Sequence, residues 1–279
     1  MELKIQLKEL RNEQLECLNN EEIYSLIDKM LNNIGSIDSE LRDELIYTTF
    51  IRIINKGLMT SNQYQYLLEK CIDDNHLFYK IGEKSTDSVF TRSFSSLVIT
   101  GLLSKDIEVG VLSDSDYQKV FKRSIEYLRS EQDTRGYVDG KGWAHSVAHG
   151  ADLLTALVKH QEYIKEYTAD ILNCLHNCLF KEATYIDDEE VRLIFVIEAL
   201  MERKLDEKDL ERWLLKILDD LEFIFINEGF TNRYFRTKFN ITNLLKTLYF
   251  RIEWIDEKSS IRILIKDNLK ELHRKVYGK

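Results

Sequence analysis

Two histidines and an aspartate give this chain its clearest chemical possibility. They lie in Asp133–Leu154, which reads DTRGYVDGKGWAHSVAHGADLL. With Gly142–His160 read as a helix, His145, His149 and Asp152 fall at i, i+4 and i+7, within an arc of roughly 60° at 3.6 residues per turn. Two imidazoles at that spacing can reach one ion, and a carboxylate one turn on can add an oxygen. The set suits Zn, Mn or Fe as a divalent metal. Without metal, the same face could do acid–base work as a hydrolase, with a histidine near neutral pKa as the proton carrier. The Glu that follows the first His in zinc proteases is absent; Ser146 stands there. The competing account is a polar layer in which these side chains bond neighbouring helices.

The residues ahead of the helix complete the candidate set. Arg135-Gly136-Tyr137-Val138-Asp139-Gly140-Lys141-Gly142 is rich in turn formers. It reads as an anion-binding loop or, more simply, as a tight turn whose glycines take positive φ. Arg135 has a ligand carboxylate, Glu131 or Asp133 as its alternative partners. Tyr137 and Trp143 flank the suspected groove; Arg92, with Ser93 and Ser95 in Phe90–Ser95, reads either as lining it or, more simply, as a helix cap and ion pair. Val147, Leu154 and Val158 fall opposite the histidines, while Ala144, Ala148, Ala151 and Thr155 form a stripe that lets another helix approach closely.

The elements around this block are helices. Apolar residues recur at helical spacing through almost the whole chain of 279 residues. Asn19 or Asn20, Asp38 or Ser39, Ser61, Ser113 and Asp206 or Asp209 stand where helices should start. The chain has no proline, where average usage of about 5% predicts on the order of a dozen. Proline breaks helix interiors, so its absence fits a nearly all-helical chain with short connections. About a dozen helices and no strand are expected, over a single domain, 1–279. Stacked antiparallel helix pairs, a HEAT/armadillo-like α-solenoid, form the expected architecture, with an α/α toroid as the alternative. The longest loops are 73–87 and 105–114.

Composition narrows the function classes. The chain is 44% hydrophobic and 31% charged, as a globular protein is. Its net charge of −9 argues against general nucleic-acid binding, which needs a basic footprint. Four cysteines without a dense framework, no apolar leader and no membrane-length apolar run predict a cytoplasmic protein with reduced thiols.

The central block resembles a bacterial family, DUF2785. The resemblance rests on Glu131-x-Asp133-x-Arg135-Gly136-Tyr137-Val138 and on Gly142-Trp143-Ala144-His145-Ser146-x-Ala148-His149-x-Ala151-Asp152-Leu153-Leu154. Phe90-x-Arg92-Ser93-Phe94-Ser95 and Asp188-Glu189-x-x-Arg192-Leu193 support it. It implies an all-helical, repeat-like protein and leaves the chemistry open. The resulting expectation is a binding module for a protein or small-molecule ligand, with no membrane and no nucleic acid. Its candidate surface is formed by His145, His149, Asp152, Trp143, Tyr137, Arg135 and Arg92.

Overall fold

The computed structural model describes residues 2–10 and 14–278. Twelve α-helices carry the described residues: α1 (Glu2–Leu10), α2 (Asn20–Leu31), α3 (Thr48–Asn55), α4 (Ser61–Cys71), α5 (Ser88–Val109), α6 (Asp114–Ser130), α7 (Ser146–Lys159), α8 (Thr168–Leu179), α9 (Glu189–Glu202), α10 (Glu207–Glu228), α11 (Asn232–Ile255) and α12 (Ser260–Tyr277). A π-helical stretch, Glu40–Tyr47, runs straight into α3. The all-α class expected from the sequence is therefore borne out. The one addition is a two-stranded ribbon, β1 (Tyr137–Val138) and β2 (Gly142–Trp143), where no strand was expected.

Local chemistry sets most of the helix starts. Asn19 with Glu22, Thr60 with Gln63 and Ser113 with Asp116 form reciprocal capping boxes, each satisfying donors that the first turn leaves open. Gly110 closes α5 in the left-handed conformation. Helix α5 continues through 105–109, which the sequence reading gave to a loop. Gly101 sits inside it, where an added Cβ would lie 2.7 Å from Ile51 Cδ1 of α3. This small residue is a helix-crossing point.

The described chain divides after Ile164 into two compact units. In the first, α5 packs on α3, α4 and α7, and α6 on α7. In the second, α11 packs on α9, α10 and α12, and α10 on α12. Within each unit the packing runs mainly between a helix and the next but one (α2 with α4, α3 with α5, α5 with α7; α9 with α11, α10 with α12) and in places between neighbours in sequence. The core of the first unit centres on α5, which is buried nearly all round. Its hydroxyls stay satisfied by bonding back along the helix, Ser95 to the Thr91 carbonyl and Ser96 to that of Ser93.

Candidate functional site

The ribbon forms because 135–145 pairs with itself instead of coiling. Tyr137 faces Trp143 and Val138 faces Gly142 in antiparallel register. Two further bonds extend the ribbon, Ala144 N–H to the Gly136 carbonyl (2.8 Å) and His145 N–H to that of Arg135 (3.0 Å). Gly140 and Gly142 both have positive φ. At Gly142 a Cβ would lie 2.9 Å from the Ser39 Cβ and 3.1 Å from Arg42 Nη2. Glycine is thus required there by conformation and by space.

A helix from Gly142 is accordingly corrected: α7 starts at Ser146, and His145 is its cap with φ 48°. Ribbon pairing outweighs the helical periodicity of 142–145. The His145 carbonyl still accepts the His149 N–H at 2.8 Å, so one turn separates the two imidazoles, and their centroids are 5.6 Å apart. Among the described residues, Asp152 does not close a three-ligand set with them. His149 Nδ1 is also taken, 2.7 Å from Ser93 Oγ. These three side chains form no compact three-ligand set in this arrangement.

Ser93 beside His149 has the look of a nucleophile and its base. The buried Ser93 hydroxyl, however, donates to the Ala144 carbonyl. A hydroxyl has one proton, so Ser93 must accept from His149, whose Nδ1 is then protonated. A ring protonated there cannot deprotonate that serine. The pair instead ties α5 to the ribbon, with Phe94 edge-on to the ring at 5.5 Å.

Cations placed by distant helices hold the block. Arg42 is fully buried. It donates to the Lys141 carbonyl (2.7 Å), the Trp143 carbonyl (3.4 Å) and the Ser36 carbonyl (2.7 Å). Its fork also meets Asp43, and its plane lies 4.1 Å from the Phe90 ring centre. Burial lowers the Arg42 pKa and raises that of Asp43, while their mutual attraction opposes both shifts. Arg42 is 99 residues from Lys141, and no sequence pattern marked it.

Arg92 is likewise fully buried. It makes a bidentate pair with Glu131 at 2.6 and 2.8 Å, and donates to the Tyr79 and Lys80 carbonyls and to Ser88 Oγ. Burial alone would lower its pKa, and Glu131 more than reverses that. Arg92 therefore lines no groove. Arg135 pairs with Asp133 through both carboxylate oxygens and donates to the Thr86 carbonyl at 2.6 Å, which leaves its fork engaged within the chain.

Tyr137 and Trp143 remain open to solvent, 53% and 41% exposed. Their rings meet edge to face at 5.0 Å, and Trp143 stacks on His145 at 4.4 Å. The ladder continues to His149 and Phe94. The site is thus an aromatic platform on a short ribbon whose backbone is pinned from below.

Fold and site define an all-α protein of stacked helix pairs, distinguished by a pinned ribbon feeding a helix. The sequence profile of DUF2785, described as a protein of unknown function, matches residues 77–250. The chain belongs to that family. No curated protein and no solved structure gives a significant match.

Proposed function

We propose that this protein is a cytosolic binding module whose recognition surface is the ribbon, with Tyr137 and Trp143 as its anchors. The observation that carries this reading is two exposed rings on a backbone held by a fully buried guanidinium. Aromatic side chains concentrate binding energy at interfaces, and fixing them beforehand lowers the entropy lost on association. The occupant would be a protein segment or small molecule offering a flat or apolar face. The alternative, a metal-dependent or acid–base hydrolase using His145, His149 and Asp152, has less support: Asp152 completes no compact ligand set with the two imidazoles, and Ser93, donating to the Ala144 carbonyl, is not activated by His149. Four free thiols and the lack of any helix able to cross a membrane, among the described residues, are compatible with the cytosolic placement.

A ligand-observed NMR screen of aromatic and apolar fragments tests the reading. Hits on the native chain should disappear in Tyr137→Ala and Trp143→Ala while the melting temperature stays within a few degrees. Hits that survive both substitutions, or a screen without hits, would reject it.

A further inference from the structure

A second site stands apart from the platform rings. A cavity of about 680 Å³ opens in the first unit between the turn after α2, the loop before α5 and the start of α5 itself. Ligand pockets span roughly 300–1,000 Å³. Its walls are built. An added Cβ on Gly35 would overlap Thr91 Oγ1, so only glycine brings that turn against α5. Arg42 holds the Ser36 carbonyl, Arg92 those of Tyr79 and Lys80, and Arg135 that of Thr86. Lys141 pairs with Asp87 at 2.7 Å. Lys80 is kept in a left-handed conformation, which costs a non-glycine residue about 1–2 kcal/mol.

The lining chemistry is specific. Side-chain amides come from Asn32 and Asn75, hydroxyls from Tyr79 and Thr91, and charges from Lys80 and Glu83. Glu83 Oε2 takes the hydroxyls of Thr86 and Ser88, both at 2.8 Å, and Oε1 is left to accept from a guest. Lys80 and Glu83 are opposite in sign, Lys141 pairs with Asp87 and His76 with Asp73, so the lining offers no unpaired cluster of one sign to reward an anion or a cation. Amides both donate to and accept from hydroxyls, and a carboxylate accepts from them, so such a lining suits vicinal hydroxyls.

We infer that this cavity binds a neutral, hydroxyl-rich ligand of mono- or disaccharide size. The test is saturation-transfer NMR on the full chain with glucose, galactose, N-acetylglucosamine, maltose and cellobiose, with inorganic phosphate, followed by the width of its phosphorus resonance, as the charged comparison. At least one saccharide should bind, and Asn75→Ala and Tyr79→Ala should each weaken it by roughly tenfold, the effect of losing one or two hydrogen bonds. Thr91→Val, nearly isosteric, should also weaken it and guards against a merely misfolded variant. Binding of phosphate alone, no saccharide transfer at concentrations on the order of 10 mM, or affinity unchanged in all three variants would overturn the inference. Tyr137 and Trp143 line no part of this cavity, so its failure would leave the ribbon reading standing.

Discussion

Arg92 and Glu131 show what most of the signature residues do. Both are fully buried, 39 positions apart in sequence, and each satisfies the other. Removing one partner strands a charge, so Arg92→Ala should cost about 3–5 kcal/mol in denaturant unfolding, whereas Arg92→Met with Glu131→Leu should recover much of it. If the double variant were no more stable than the single, the pair would not be the source of the loss. At this scale the sequence was only partly legible. Tyr137 and Trp143 were marked as flanking the suspected groove, and both are exposed. Arg135 was read with its true partner, Asp133, among the alternatives. Arg42 was illegible, because its role depends on carbonyls about a hundred residues away, and no short-range pattern reports such a contact.

At the scale of elements, helical periodicity found α7 but misplaced its start by four residues. The greasy side was nonetheless assigned correctly: Val147, Leu154 and Val158 are all buried. The close approach falls off the alanine stripe, at Gly150, which lets α6 close in, with a Cβ there falling 2.4 Å from Leu128 Cδ2. Leu128 is fully buried and has little room to yield. Gly150→Ala should therefore lower stability by about 1–3 kcal/mol despite the better helix propensity of alanine; an unchanged or raised melting temperature would show the α6–α7 contact to be looser. In the second unit, His176 of α8 lies 2.7 Å from Asp220 of α10. Burial lowers its pKa from the ordinary 6.5, and Asp220 only partly compensates. The folded form then binds the proton less readily than the unfolded chain. Stability should fall as pH drops through 6.5 towards the folded value. His176→Asn should flatten that slope in melting curves taken from about pH 7 down to about pH 5, and an unaltered slope would contradict the assignment.

For the molecule as a whole, periodicity, capping residues and the absence of proline gave the all-α class, because helix formation is mostly local chemistry repeated along the chain. The short ribbon escaped because two-residue strands have no period to read. No long loop or composition shift in the sequence marks Ile164, where the two compact units meet in the chain. In the first unit, cations from α5, the π-helical stretch and the ribbon all converge on backbone carbonyls. This frame fixes one exposed aromatic pair and one polar cavity. The claim everything else serves is that the frame exists to present Tyr137 and Trp143 to a ligand. The fragment screen on the native chain against Trp143→Ala tests it most directly. The account predicts hits that vanish with the indole while the fold melts as before; the same hits on both proteins would contradict it.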